Sequence, residues 1–354
     1  MYKYALLFLL MILTVACSEN GENQEETEPN SKTTQGSDME ILASELRSPW
    51  DIEVSGDTFY ITERAGNIVT WTESEGRVRE SVNTKEAVHQ QGEGGLFGFE
   101  LRPDFEESRE AFVYHTYQNN GETKNRVIVI RLENEGWVEV DVLLENIPGS
   151  RIHNGGRIKI GPDQKLYVTT GDAGNQQTAQ QEDSLAGKIL RMSLDGSIPD
   201  DNPFGNSYVY TLGHRNPQGL AWTEENEMYA SEHGSDAHDE INKIEAGNNY
   251  GWPEIRGDEE REGMVTPIFH TGTDTWAPSG IAINESKLFV ASLRGQALRI
   301  MDLKALEPEI VTDDYGRIRD VIIENDALFF ITNNTDGRGT PSEDDDRLVR
   351  MNLP

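Results

Sequence analysis

The sequence predicts an all-β chain folded as a six-bladed β-propeller, and three observations predict it. From residue 40 onward the apolar residues recur with period two, the spacing of a half-buried strand, not with period 3.6. One phrase recurs: a small polar turn, an alternating run centred on an aromatic, then a loop. It is read as DTFYITER (57–64), QKLYVTTGD (164–172), NEMYASEHG (226–234), SKLFVASLRG (286–295) and DALFFITNN (326–334). No long amphipathic helix is readable. Antiparallel repeats of this size close radially into blades, which leaves an all-β chain without long exposed edges. A pair of β-sandwiches is the structural alternative, but it leaves the repeated phrase unexplained.

Residues 1–17 place Lys3 before an apolar run and end in Thr14-Val15-Ala16-Cys17. A basic start and a run too short to span a bilayer read as a secretory signal. The ending resembles a bacterial lipobox, which implies lipidation of Cys17, the only cysteine in the chain. An ordinary signal peptide is the alternative. Residues 18–38 hold no apolar side chain larger than proline, and read as a flexible acidic spacer between membrane and domain. The folded domain is expected over 39–354. Its first segment, EILASELRS (40–48), is expected to pair into the last blade and lock the ring.

Each recurring phrase has a companion strand before it (WDIEV, GRIKI, GLAW, GIAI, RDVII). Another follows (NIVTW, KILRMSL, EINKI, ALRIMDL, RLVRMNL). A sixth copy is placed around AFVYHTYQ and NRVIVIRLENEGWVEV (111–140). Lys plus Arg number 31 against 63 Asp plus Glu, a net charge of −32 that repels phosphate backbones and argues against nucleic acid as a partner. A single cysteine excludes an intramolecular disulfide and a cysteine zinc cluster.

The polar motifs fall on loops, which a propeller gathers at one end of its channel. His153 opens the turn His153-Asn154-Gly155-Gly156, and Asp172 follows the next strand, where it could orient the imidazole. Read alone, the pair is equally a tight turn and an Asx turn. Arg215 and Asn216 open one strand, Arg294 ends another, and Arg317 and Arg319 share one face of an extended segment. Arginines repeated at equivalent loop positions of so acidic a chain suit a small polyanionic ligand. Glu240 and the backbone around Tyr250 suit a hard cation such as Ca²⁺. His233 and His238 lack the spacing of a zinc protease. The run Asp344 to Asp346 reads as a solvated loop.

In this order, SPWDIEV, GEGGLFGFELRPDF, HNGGRIKIGPDQKLYVTTGDAGN, LAGKILRMSLDGSIPDDNPF, GHRNPQGLAW, DEINKIEAGNNYGWP, PSGIAI and GRIRDV resemble the glucose/sorbosone dehydrogenase family of soluble quinoprotein sugar dehydrogenases, over residues 43–353. The resemblance implies a six-bladed propeller using pyrroloquinoline quinone (PQQ) and Ca²⁺ to oxidise aldose sugars to lactones. His153 then resembles the general base and Asp172 its orienting carboxylate. Gln177, Arg215, Asn216, Arg294, Arg317 and Arg319 resemble cofactor-binding positions. Glu240 and the Tyr250 carbonyl resemble the Ca²⁺ site of the bacterial aldose dehydrogenases, with Ca²⁺ implied to polarise the quinone carbonyl. Two positions depart from the pattern. Glu93, a further expected cofactor-binding position, stands where many members carry Gln. Arg294 stands near where some carry Lys. A carboxylate beside a tricarboxylate cofactor is unfavourable unless an Arg or Ca²⁺ compensates. The implied partners are an aldose, an electron acceptor (a quinone or cytochrome) and the membrane through the lipid, in an extracytoplasmic location (periplasm, outer membrane or cell surface). Two other readings stay open: a non-catalytic extracellular propeller that binds a protein or glycan, and a Ca²⁺-dependent lactonase.

Overall fold

A computed structural model describes residues 39–354. The expected signal peptide with Cys17 and the acidic spacer 18–38 lie outside the described residues. Six four-stranded antiparallel sheets form the blades of a β-propeller. The strand nearest the channel in each is Pro49–Ser55, Leu96–Leu101, Ile158–Ile160, Pro217–Trp222, Pro278–Asn284 and Ile318–Glu324. Each of the first five blades continues outward in sequence order. The sixth is completed by Glu40–Ala43, which pairs antiparallel with Leu348–Asn352, so the first strand joins the last blade as expected.

The recurring aromatic earns its place between blades. Phe59 of the first blade meets Phe329 of the sixth at 4.9 Å between ring centroids, and Tyr60 meets Trp137 of the second edge-on at 5.9 Å. Tyr167 of the third blade meets Trp222 of the fourth at 5.3 Å. Alternation along each strand sends one residue to each neighbouring blade, which is why the phrase carries two large apolar groups in a row.

Two expectations need correction. The sixth copy, placed at 111–140, is a larger blade that begins at Leu96–Leu101 and ends with Gly136–Pro148. Its inner strand LFGFEL carries a glycine because the blades touch there: a Cβ on Gly98 would overlap the Gly156 carbonyl of the third blade. The Asp344 to Asp346 run is not simply solvated. Asp346 is fully buried, and its carboxylate accepts from Thr332 Oγ1 at 3.2 Å and from the Asn334 N–H and Thr335 hydroxyl. Its backbone carbonyl accepts from Leu46 N–H at 2.9 Å, which fastens the crossing from the first strand to the first blade.

Five of the inner strands carry a register shift near their start, at Pro49/Ile52, Leu96/Phe99, Pro217/Gly219, Pro278/Ile281 and Ile318/Asp320. Bulges of this kind re-aim side chains, here into the channel. Arg157, immediately before the third inner strand, uses that space. Its Nη1 donates to Asp51 at 2.5 Å and Asp320 at 2.9 Å, its Nε donates to the Gln218 carbonyl at 2.9 Å, and its guanidinium lies 4.4 Å from the Trp50 ring centroid. One buried cation thus ties the third blade to the first, fourth and sixth. A Cβ on Gly280 would overlap the Asp320 carboxylate, so the fifth blade yields room to the same cluster. Among the described residues no helix is long and apolar enough to cross a membrane.

Arg157→Leu would leave two buried carboxylates without their counter-ion, a loss of about 3–5 kcal/mol. Urea unfolding should show that loss, and Asp51→Asn in the same chain should recover part of it. A loss below about 1 kcal/mol would mean that the cluster does not hold the ring.

Candidate active site

His153 sits on the turn that feeds the third inner strand, in a left-handed conformation (φ 53°). Gly155 and Gly156 follow it, also at positive φ. A Cβ on Gly155 would overlap the Thr169 carbonyl, so glycine is required for the turn to close against the neighbouring strand. The Asn216 amide oxygen accepts from Gly155 N–H at 3.0 Å, which docks the fourth blade's loop onto this turn.

Asp172 stands on the loop after Leu166–Thr170, and its Oδ1 lies 2.8 Å from His153 Nδ1. Its Oδ2 accepts from the Trp252 indole at 2.9 Å, and Oδ1 also accepts from Gly174 N–H at 2.8 Å. Burial raises the carboxyl's affinity for a proton, but the bond and charge of His153, with Gly174 and Trp252, outweigh it and hold Asp172 below the usual carboxylate range. An ionised Asp172 fixes the proton on Nδ1 and leaves Nε2 as the free acceptor. The imidazole is 16% exposed, enough for a small substrate to reach it.

A narrow cleft of about 30 Å³ lies beside this turn. Trp50, Phe97, Asn154 and Gly155 line it, with Arg64, Glu93, His233, Arg319, Asp336 and Arg338 among its polar groups. Arg319 is buried, and its Nη1 donates to Gln218 Oε1 at 2.8 Å and Ser279 Oγ at 3.3 Å. With the Asn333 amide oxygen turned toward it, Nε and Nη2 are satisfied at 2.8 Å. All these partners are neutral. Burial, opposed by Asp336 and reinforced by Arg317, Arg64 and Arg157, pulls the guanidinium down to about 9. Arg64 is also buried and donates to the Gly94 carbonyl at 2.8 Å and to the Gly92 carbonyl. Among the described residues neither Arg64 nor Arg319 has a carboxylate within ion-pair distance. Arg317 does: its Nη2 meets Asp336 at 2.8 Å.

Arg215 lines an adjoining cavity that shares His233 with the cleft. Its guanidinium lies 5.5 Å from the Trp252 ring centroid, and its Nε is buried without a partner. His233 is pulled down to about 4, chiefly by burial, so its ring is neutral near pH 7; its Nε2 is likewise buried without a partner. Glu240 and Tyr250 line the same adjoining cavity. Glu240 faces Glu232 across the strand pair, and burial followed by that like charge pushes its carboxyl up to about 8. Among the described residues no hydrogen bond reaches the Tyr250 carbonyl, and no three His, Cys, Asp or Glu side chains converge as a metal site.

Of the expected positions, Glu93 and Arg319 line the cleft and Arg215, Glu240 and Tyr250 the adjoining cavity. His153, Asp172, Gln177, Asn216, Arg294 and Arg317 line neither, Gln177 being exposed on the short 3-10 helix Gln176–Gln180 and Arg294 on the turn after Lys287–Ser292. Arg294 occupies a hairpin turn, whereas Arg215 and Arg317 precede inner strands, so these arginines are not at equivalent blade positions. Sequence reasoning missed Arg64, Trp252, Arg338 and the functional placing of His233. Arg64 was legible: it ends the first copy of the recurring phrase at the loop end that carries the other motifs.

Asp172→Asn should reverse the ring, because an amide can donate to Nδ1. In alkaline solution, imidazole nitrogen shifts of the wild type should report Nδ1–H, and those of the variant Nε2–H. An unchanged tautomer would remove Asp172 from its orienting role.

Residues 46–348 match the family described as Glucose / Sorbosone dehydrogenase. Quinoprotein glucose dehydrogenase B of Acinetobacter calcoaceticus is 38% identical over 261 residues, covering 64% of this chain and 55% of that protein, so the chain matches little over half of that relative's length. An aldose sugar dehydrogenase of Escherichia coli K12 is 30% identical over 341 residues, covering 84% of this chain and 91% of that one. Among solved structures, the PQQ-bound form of an aldose sugar dehydrogenase from Streptomyces coelicolor aligns with a TM-score of 0.83 at 36% identity, covering 90% of this chain and 98% of that one. The match runs from the crossing into the first blade to the last strand of the sixth, and the chain belongs to the glucose/sorbosone dehydrogenase family.

Proposed function

We propose that this protein oxidises aldose sugars to lactones with PQQ as cofactor, His153 serving as general base and Ca²⁺ supporting the site. The observation that carries the reading is a pair of buried guanidiniums, Arg64 and Arg319, that face one cleft with neutral partners only. A buried cation is costly without a counter-charge, and a planar tricarboxylate supplies one. The unpartnered nitrogens of Arg215 and His233 add donors at the border of the same cleft. The donor set therefore fits the quinone, with Arg64 and Arg319 in the cleft and Arg215 at its border as the residues to hold it. The similarity to a quinoprotein glucose dehydrogenase and to aldose sugar dehydrogenases, one of them PQQ-bound, supports the cofactor and the substrate class.

When bound, the quinone supplies a two-electron acceptor for the hydride leaving the anomeric carbon. The protein's own part is proton transfer and orientation. His153 Nε2 takes the proton of the anomeric hydroxyl as the carbon–oxygen bond gains double-bond character. Asp172 keeps that nitrogen free, and Trp252 keeps Asp172 from turning away. Trp50 and Phe97 give the cleft apolar walls that shield the reacting atoms from water.

We assign Ca²⁺ to Glu240 and the Tyr250 carbonyl, not to the cleft. In the cleft, Glu93 and Asp336 are already engaged by Arg338 and Arg317. In the adjoining cavity Glu240 faces Glu232 in a buried space. Among the described residues no ion pair reaches Glu240, whose carboxylate accepts only from the Gly257 N–H at 3.1 Å and the Asn242 amide at 3.3 Å, and the Tyr250 carbonyl is free. Tyr250 lies two residues before Trp252, so Ca²⁺ there would steady the indole that holds Asp172. Cys17 would anchor the domain outside the cytoplasm through a lipid, with 18–38 as the tether and a quinone or cytochrome receiving the electrons. A lactonase needs several carboxylates around a central metal; here the cleft offers arginines.

His153→Ala should lower kcat for dye-linked aldose oxidation by about a hundred- to ten-thousandfold while the fold persists. Full turnover in that variant would refute the assigned base. Ca²⁺ at a hundred times its Kd should stabilise the wild type by about 2.7 kcal/mol, seen as a raised Tm. Glu240→Gln should abolish that rise; an equal rise in the variant would place the ion elsewhere.

A further inference from the structure

The Glu93 carboxylate is shared between two elements. Its Oε2 accepts the backbone N–H of His153 at 2.9 Å, and its Oε1 accepts from Arg338 Nη2 at 2.9 Å. The first bond acts on a strained point, because His153 holds a left-handed φ of 53° that a histidine does not adopt freely. The second reaches across the mouth of the cleft. Arg338 belongs to the loop between Ala327–Thr332 and Leu348–Asn352 of the sixth blade, whereas Glu93 leads into the inner strand of the second. The Arg338 N–H donates to Asp336 Oδ1 at 2.8 Å, and Asp336 Oδ2 accepts from Arg317. A chain of contacts thus runs from Arg317 to Asp336, through the Arg338 backbone N–H and guanidinium to Glu93, and ends on the backbone of His153. Glu93, Asp336 and Arg338 all line the cleft.

This arrangement supplies the compensation that a carboxylate needs beside a polyanion. Burial disfavours the charge on Glu93, but the His153 N–H, Arg338 and His233 outweigh it, and the group stays below its usual range. Arg338 is 57% exposed and Glu93 23%, so the pair is weak enough to open and close without disturbing the blades.

We propose that Glu93 is a positioning residue with two separable duties: it fixes the backbone of His153, and it latches loop 333–347 across the cleft while cancelling the charge of Arg338 toward an anionic cofactor. The cofactor half rests on the quinone reading above; the latch rests on geometry alone. Glutamine at 93 keeps an oxygen for the His153 N–H but releases Arg338 as a free cation. Alanine gives up both duties.

Two measurements separate the halves. In the apo-protein, amide hydrogen exchange across 336–345 should quicken by about fivefold or more in Glu93→Gln, while the peptide holding His153 stays as in the wild type. In Glu93→Ala both segments should quicken. In titrations of apo-protein with PQQ, followed by fluorescence quenching, Glu93→Gln should tighten Kd by about three- to tenfold, and Arg338→Gln should weaken it by a similar factor. The double variant should return near the wild-type value, because the net charge of the pair is restored. In reconstituted enzyme, kcat should be at least about tenfold higher in Glu93→Gln than in Glu93→Ala. Equal weakening of PQQ binding by Gln and Ala, with exchange in the loop unmoved, would overturn the proposal. If the wild type takes up no PQQ but the exchange pattern holds, the oxidation reading falls and the latch stands.

Discussion

Arg157 is the residue on which the arrangement depends. It stands one position before the third inner strand and four after His153, and its guanidinium reaches the carboxylates of the first and sixth blades and a carbonyl of the fourth. A ring of sheets closes by apolar packing between neighbours, which is tolerant of small rotations. Three directed bonds from one buried cation are not. They fix where the third blade's entering turn, whose Asn154 and Gly155 line the cleft, sits relative to the opposite side of the ring. Asp51 and Asp320 can be buried side by side because one Arg157 nitrogen donates to both.

The same logic explains the charge pattern of an otherwise acidic protein. Acid outnumbers base two to one along the chain, yet the cleft concentrates guanidiniums. Arg317 and Arg338 have carboxylate partners, whereas Arg64 and Arg319 face the cavity held only by neutral oxygens. That division separates arginines that build the rim from arginines kept for a ligand. It also gives Glu93 a reason to be a carboxylate in a place that otherwise favours cations.

Much of the fold was legible because propeller blades write themselves twice: once as period two, and once as a repeated aromatic whose partner lies on the next blade. The second blade was read short because Gly98 breaks the apolar run of LFGFEL, and that glycine answers to the neighbouring Gly156 carbonyl, a contact no local pattern encodes. The site was legible where turn chemistry marks it, as in the glycines after His153 and the loop carrying Asp172. It was not legible where a residue acts at long range. Trp252 reaches Asp172 over eighty positions, and Arg338 reaches Glu93 over 245. The acidic run before Arg347 looked solvated because charge alone cannot reveal that Asp346 caps buried backbone. Arg294 and Gln177 resemble ligands by position in a motif, and the structure shows one exposed on a turn and the other exposed on a 3-10 helix.

The most direct test of the account is an anaerobic single turnover. Apo-protein is loaded with PQQ and Ca²⁺, mixed with one aldose, and the quinone absorbance is followed in the stopped flow. The account predicts loss of the oxidised spectrum with one equivalent of lactone formed, slowed when the sugar carries deuterium at its anomeric carbon. A bound quinone that keeps its oxidised spectrum against every aldose tried would contradict it.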